Sequence, residues 1–377
     1  MIFRIFVLML LLGSLAQRSA HAEALQTDLP VETAEESKKT PTEDLPHELR
    51  PLIDTLDQAS LQEAFRLLTK DYINHQQLDP LEVNRAALQG MLNRLEFGAM
   101  LLTEKWRSEQ NSPFEFHHAR IHPEIGYVRF GRFNQAGVDS FDAALEEFSV
   151  KNSVKTLIVD LRSPQAQADF AIASSILSRF RPPNELLFKI RRPGNDRPTL
   201  FVSQAQSANW SRDIILLVDG DTGNVGEIIA AVLQRETECL IIGEKTPGLT
   251  VEYRDVPIGE DRILRYAIAE VVLEDGSSIF QKGITPDILT PTSFEAKSEI
   301  FTRTQNGEAL NDFIFQRQRP RMNEAALVAG TDPEIDYYLL RSANKPTPWD
   351  EPPVQDRSLQ QAVDLLVATS FLETDRK

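Results

Sequence analysis

Residues 213–228 read DIILLVDGDTGNVGEI, which places an unbroken aliphatic run, a turn of aspartates and glycines, and the start of a helix in immediate succession. An aliphatic run without alternation is typical of a strand that is covered on both faces. The apolar side chains of residues 226–234 recur at helical spacing. A buried strand that leads directly into a helix indicates a βα unit of a largely parallel sheet.

The same rhythm extends on both sides of this unit. Strand-like and helix-like segments alternate over residues 125–133, 138–148, 154–161, 168–180 and 239–242, and further strands are predicted at 252–257 and 263–273. Apolar residues at helical spacing occupy 52–72, 81–102 and 359–372. We therefore predict an α/β fold with a mixed, largely parallel sheet and helices, flanked by helical N- and C-terminal segments.

The first fifty residues predict export. Arg4 precedes the apolar run 5–12, and small residues frame position 21, a pattern typical of a cleaved secretory signal over 1–22. An uncleaved anchor is the alternative. The acidic segment 23–50 has too few apolar residues to fold and is predicted to be a disordered linker. The expected location is periplasmic or extracellular, with no stable membrane span after signal cleavage.

Three folded regions are expected after the linker. They are a helical N-terminal region at 51–108, an α/β core at 109–292 and a helical C-terminal region at 293–377.

Composition excludes several classes of function. The chain carries 40 basic and 56 acidic residues, a net charge of −16, which argues against nucleic acid or an anionic membrane as a partner. A single cysteine, Cys239, excludes an internal disulfide and cysteine-based zinc fingers. No phosphate-binding loop or dinucleotide fingerprint is present, so no cofactor is predicted.

The histidines offer little catalytic chemistry. None occurs beyond His122, and no Gly-x-Ser-x-Gly elbow is present. His117, His118 and His122 form a cluster that could bind a metal, but adjacent histidines seldom converge on one ion. A solvated connection before the strand at residue 125 is the favoured interpretation, and no metal is predicted.

Several motifs resemble the tail-specific, or C-terminal processing, serine peptidase family. Residues 213–228, 240–250 (LIIGEKTPGLT) and 280–288 (FQKGITPDI) carry the resemblance, and 156–162 (TLIVDLR) is similar to a strand of that family. The resemblance covers about 125–290. It implies a peptidase fold and an activity that depends on a serine nucleophile and a neutral lysine base.

The dyad is degenerate in this chain. Counting back from Glu227, the resemblance places Asn224 at the nucleophile position and Leu249 at the base position, with the family's separation kept. An amide does not serve as an acyl-transfer nucleophile, and an aliphatic side chain takes no proton. The glutamine that the family has four residues after the lysine is Tyr253 here.

The turn that supplies an oxyanion donor in the family is changed as well. The family has glycines after its Asp-Leu-Arg, whereas the corresponding positions here are Gln165, Ala166 and Gln167. Loss of one oxyanion donor typically lowers the rate by about 10²–10³. The family's PDZ domain is also not expected, because residues 103–124 are too few to hold it.

The predicted function is that of an inactive pseudo-peptidase which binds or scaffolds a peptide or protein, for example an active peptidase of the same family. One alternative is an active serine-type endopeptidase with a relocated pair, Thr222 and Lys245. A second alternative is a binder of small apolar ligands, as in retinoid-binding relatives of the family.

Overall fold

The computed structural model describes residues 53–105, 112–151, 154–165, 169–195, 197–205, 209–236, 239–314, 328, 330, 332–343, 345 and 354–374. The predicted signal peptide and linker, residues 1–50, lie outside the described residues. The chain divides into two units, residues 2–96 and 97–377. None of the helices in the described part of the chain has the length and apolar content that a membrane span requires.

The described part of the first unit is helical. Helix α1 spans Gln58–Asp71 and α2 spans Pro80–Leu95. Each begins at an aspartate whose carboxylate accepts a backbone N–H three residues on, Asp57 for α1 and Asp79 for α2. The helix predicted to reach residue 102 instead ends at Leu95, because the chain turns at Glu96 with φ of +48°.

The second unit contains two sheets. In the core sheet the strand order is β11-β8-β7-β4-β3-β2, and all neighbours pair in parallel except β2 and β3. Its strands are β2 His117–His122, β3 Ile125–Arg129, β4 Thr156–Asp160, β7 Asp213–Val218, β8 Leu240–Gly243 and β11 Ile288–Leu289. The second sheet is antiparallel, with the order β1-β10-β5-β6 and β9 paired to β10. Its strands are β1 Ala99–Leu102, β5 Leu186–Arg191, β6 Thr199–Val202, β9 Val251–Pro257 and β10 Ile263–Val272.

Helices cover both faces of the core sheet. The described helices of this unit are α3 Gln135–Glu146, α4 Phe170–Leu177, α5 Val225–Glu236, α6 Phe294–Gln305, α7 Pro333–Ser342 and α8 Arg357–Thr374, of which α3, α4, α5, α6 and α8 contribute to the buried clusters on the sheet. Alternate residues of β4 belong to opposite clusters of buried side chains: Leu157 packs with α3, α4 and α5, and Ile158 packs with α6 and α8. The predicted α/β fold with a largely parallel sheet is confirmed.

Several elements differ from the sequence-based expectation. Residues 99–102, predicted to be helical, form β1 and pair with β10. The interpretation of residues 117–122 as a solvated connection is wrong: they form β2, which pairs antiparallel with β3. Exposed His118, Arg120 and His122 alternate with the more buried His117, Ala119 and Ile121, because one face of an antiparallel strand packs on the core and the other faces solvent.

The three histidines of β2 have separate surroundings. The ring of His117 lies 6.3 Å from that of Tyr127, His118 lies 3.4 Å from a carboxylate oxygen of Glu147, and Nδ1 of His122 accepts the N–H of Glu124. Among the described residues no group of three or more His, Cys, Asp or Glu side chains is arranged to hold a metal ion.

Acidification is expected to destabilise the protein through His117. Burial lowers the pKa of this imidazole to about 4, and Arg129 adds to the shift. Because the folded pKa is depressed, the stabilisation is complete above the ordinary value of 6.5 and is lost as pH falls toward 4. Since part of the ring is exposed, we expect a loss of about 1–2 kcal/mol in the free energy of unfolding. Urea unfolding across this pH range measures it.

His117→Phe should flatten that pH dependence, whereas His122→Gln controls for the loss of an imidazole from the same strand. Equal slopes for wild type and His117→Phe would contradict the assignment.

Candidate active site

The candidate residues lie where two neighbouring parallel strands end. Asn224 follows β7 through the turn at 219–224, and Gln165 follows β4 by five residues. In open α/β sheets the crevice beyond the carboxyl ends of the strands is where ligands bind. The fold therefore places both parts of the predicted site at the carboxyl ends of the parallel strands, where ligands commonly bind.

The turn after β7 is fixed to the end of β4. The carboxylate of Asp219 accepts the N–H groups of Asp221 and Thr222 at 2.9 and 3.2 Å. The hydroxyl of Thr222 accepts the N–H of Asp219 and donates to the carbonyl of Leu161, both at 3.0 Å. These bonds are typical of an aspartate turn and hold the chain in place directly before Asn224.

Asn224 has an unusual backbone and a half-satisfied amide. Its φ of +47° lies in the left-handed region, which asparagine tolerates better than most residues. Its Nδ2 donates to the carbonyl of Gln165 at 3.1 Å. The amide is buried, and its Oδ1 has no hydrogen-bond partner among the described residues. Strained backbone and unpaired buried polar atoms are both features that cluster at functional sites.

Leu249 lies beside this turn. A Cβ atom placed on Gly223 would be 3.3 Å from Cδ1 of Leu249. The nucleophile and base positions of the resemblance are therefore neighbours in space as well as in pattern. The atoms at the two positions are an amide and a methyl group, so no proton transfer between them is available.

Glu227 holds the segment that carries Leu249. Its carboxylate accepts the hydroxyl of Thr246 and the N–H groups of Gly248 and Leu249, each at 2.5 Å. Burial raises the pKa of Glu227, while the bond from Thr246 and those from the backbone act in the opposite direction. Glu227 is thus a positioning residue that fixes α5 to the loop after β8.

Gln165 presents an acceptor toward Asn224. Its side chain donates to the carbonyl of Gly131 at 3.1 Å and accepts the N–H of Phe133 at 3.4 Å. Its own carbonyl accepts from Nδ2 of Asn224. An oxyanion hole needs N–H donors at this place. The other two predicted turn positions, Ala166 and Gln167, lie outside the described residues.

The relocated pair is not brought together. Thr222 is fully buried, and its hydroxyl serves the turn described above. Lys245 is exposed to solvent. No hydrogen bond between described residues joins the two side chains, so the arrangement offers no activated hydroxyl there.

Sequence reasoning missed Lys297. From α6 its buried ammonium donates to Asp219 at 2.5 Å and Asp221 at 2.6 Å, and to the carbonyl of Arg162 at 3.1 Å. Burial raises the pKa of Asp219, although the charge of Lys297 acts against this. A signal existed in the sequence: Lys297 shares helical spacing with Ile300 and so belongs to the buried stripe of α6.

Arg162, which follows β4, joins the carboxyl end of the core sheet to Asp356 at the start of α8. Its guanidinium, 1% exposed, binds Asp160 at 2.6 and 2.9 Å and Asp356 at 2.7 and 3.0 Å. The hydroxyl of Tyr127 completes the cluster through a 2.8 Å bond to Asp160. The arginine of the Asp-Leu-Arg motif is therefore committed to structure.

Comparison with known proteins finds sequence relatives of this chain. Residues 124–290 match the model of Peptidase family S41. The Carboxy-terminal-processing protease of Bartonella bacilliformis is 28% identical over 225 residues, which are 58% of this chain and 51% of that protein. The chloroplastic Carboxyl-terminal-processing peptidase 2 of Arabidopsis thaliana is 25% identical over 48% of this chain and 34% of its own. The chain thus spans from a third to a half of the length of these relatives.

Two solved structures are also similar. A photosystem II D1 C-terminal processing protease is 20% identical, with a TM-score of 0.40 and coverage of 53% of each chain. A putative peptidase from Parabacteroides merdae is 15% identical, with a TM-score of 0.49 over 65% of this chain and 85% of its own.

Proposed function

We propose that residues 124–290, which match the model of Peptidase family S41, form a peptidase-like domain that is catalytically inactive and binds a peptide or protein instead of cleaving it. The observation that carries the proposal is the contact between Asn224 and the carbonyl of Gln165. The nucleophile position holds an amide, and the group that faces it is an acceptor. Leu249 beside it supplies no base.

The predicted signal over 1–22 supports a place outside the cytoplasm, periplasmic or extracellular. There we propose a scaffolding role toward a peptide or protein, such as an active peptidase of the same family. Affinity capture from an envelope extract with the purified protein tests this scaffolding role. Recovery of an active peptidase of the family with the folded protein, but not with the unfolded protein, supports a role as a regulatory subunit.

Restoring the dyad is not expected to restore cleavage. The Asn224→Ser/Leu249→Lys double variant regains a hydroxyl and an amine, but the Gln165 carbonyl still faces position 224. A missing oxyanion donor lowers turnover by about 10²–10³. We therefore expect the double variant to cleave denatured protein and apolar-ended peptides at least about 10²-fold more slowly than an active family member. Mass spectrometry of the products measures this.

The wild-type protein and Asn224→Ala are the controls, and both should give no products above background. Turnover by the wild type that Asn224→Ala abolishes would overturn the proposal. So would turnover by the double variant at the rate of an active relative.

A further inference from the structure

Strand β10 has an interrupted edge. Strand β9 pairs with it from Ile263 to Glu270, with a register shift at Ile268 between Ala267 and Ala269, so the neighbours β1 and β5 must share the opposite edge. There β1 pairs with residues 263–266 and β5 with residues 270–272. Among the described residues no strand pairs with residues 267–269 on that edge. The gap is three residues long, about 10 Å.

The ends of both flanking strands are fixed. After β5 the chain forms a turn in which the N–H of Asn195 donates to the carbonyl of Arg192 at 3.2 Å, and Gly194 has φ of +74°. Pro193 and Gly194 are suited to the two central positions of a type II turn, and this turn leads the chain away from β10. Before β1, the carbonyl of Phe97 accepts from the hydroxyl of Tyr253 at 2.8 Å. Neither strand extends into the gap.

A cleft of about 620 Å³ opens at this gap. Its apolar lining includes Val251, Ile268, Ala269, Val272 and Phe280. Its charged lining is Lys189, Arg191, Arg192 and Glu270. Three cations and one carboxylate thus line a cleft in a chain whose net charge is −16.

One of these cations, Lys189, has no carboxylate partner among the described residues. Arg191 pairs with Glu270 at 2.5 Å, and Arg192 pairs with Glu252 at 2.6 Å. The ammonium of Lys189 donates to the backbone carbonyl of Glu274 at 3.1 Å, and no described carboxylate lies within ion-pair distance of it. A carboxylate that entered the cleft would therefore find a charge that no carboxylate of the described residues neutralises.

We propose that the gap binds an extended acidic peptide, which pairs with residues 267–269 as a short antiparallel strand and places a carboxylate side chain at Lys189. Backbone hydrogen bonds to an open strand edge supply affinity, and side-chain pockets supply specificity. The inference rests on the proposed peptide-binding function and deepens it by naming the class of peptide. A strand here would lie in line with β5 and β1 and would close the edge of β10.

The test measures binding of a fluorescent peptide of about four residues, with Glu and Val alternating, to the full chain by anisotropy. The comparison peptides replace Glu by Gln or methylate alternate backbone amides. We expect Glu→Gln in the peptide, or Lys189→Glu in the protein, to weaken binding about tenfold or more. The methylated peptide should bind equally weakly, because it cannot form strand hydrogen bonds. Lys155→Glu, the same charge change on an exposed residue that precedes β4 and does not line the cleft, should leave binding within about twofold of wild type.

The outcomes separate the two proposals. Equal binding of the Glu and Gln peptides, no binding of either, or no effect of Lys189→Glu overturns the acidic-peptide site. The proposed inactive domain falls only if the wild-type protein cleaves peptides in a manner that Asn224→Ala abolishes.

Discussion

The Arg162→Met variant is expected to lose about 3–5 kcal/mol of its free energy of unfolding, because it strands two buried carboxylates. Asp160 and Asp356 are both fully buried, and Arg162 is the cation that neutralises them. Burial alone would raise the pKa of Asp160, but the charge and hydrogen bonds of Arg162 outweigh it and lower that pKa. Denaturant unfolding followed by circular dichroism measures the loss.

Two comparisons make this expectation specific. Arg254→Met removes an exposed arginine and should change stability by no more than about 0.5 kcal/mol. Combining Arg162→Met with Asp160→Asn and Asp356→Asn should recover part of the loss, since the amides need no counter-charge. Because the pKa of Asp160 is lowered in the folded state, its ionised carboxylate stabilises the wild type at neutral pH, and this stabilisation is lost as pH falls. The difference in free energy of unfolding between wild type and Arg162→Met should therefore become smaller on acidification. A loss that is equal for Arg162→Met and Arg254→Met would contradict the account.

Glu227→Ala is expected to cost at least about 3 kcal/mol, since it removes the acceptor of three donors, two of them buried. Those donors are the hydroxyl of Thr246 and the N–H groups of Gly248 and Leu249. Without the carboxylate the loop that carries Leu249 loses its attachment to α5. Denaturant unfolding gives the free energy, and hydrogen exchange at the amides of Gly248 and Leu249 should accelerate by more than exchange in β4.

Glu227→Gln is the matched control, because it keeps the shape and one acceptor oxygen. We expect it to lose about 1–2 kcal/mol, less than the alanine variant. If Glu227→Ala unfolds like the wild type, or if exchange at Leu249 does not change, the positioning role of Glu227 is wrong.

The parallel strands could be predicted because a strand that is buried on both faces has a nearly continuous run of aliphatic residues. Strands β4 and β7 are almost wholly buried, and their sequences are nearly continuous aliphatic runs. Motif spacing predicts that positions 224 and 249 are neighbours, and in the structure a Cβ atom placed on Gly223 would lie 3.3 Å from Cδ1 of Leu249.

The short strands of the antiparallel sheet have no comparable pattern in their sequences. Strand β6 has four residues, none of them buried, and its place is decided by pairing with β5. Strand β1 continues the apolar pattern of a helix but pairs with β10. In both cases the tertiary partner, not the local sequence, determines the conformation.

The site was predictable in its residue types but not in its contacts. The assignment of Asn224 and Leu249 to the serine and lysine positions is a prediction from motif spacing. The direction of the Gln165 carbonyl cannot be predicted in this way, because it depends on backbone geometry. Lys297 stands 78 residues beyond Asp219, and spacing on α6 indicates that it is buried without naming its partner.

The bond between Arg162 and Asp356 bridges 194 residues of sequence and makes folding depend on the last helix. Contacts of such long range slow folding, since the intervening chain must first be ordered. During synthesis at roughly 5–20 residues per second, Asp356 emerges more than about 10 seconds after Arg162. Over that interval the nascent domain carries an arginine with half of its anionic partners. A product cut short before residue 356 stays in that state, which makes it a ready target for quality-control proteases.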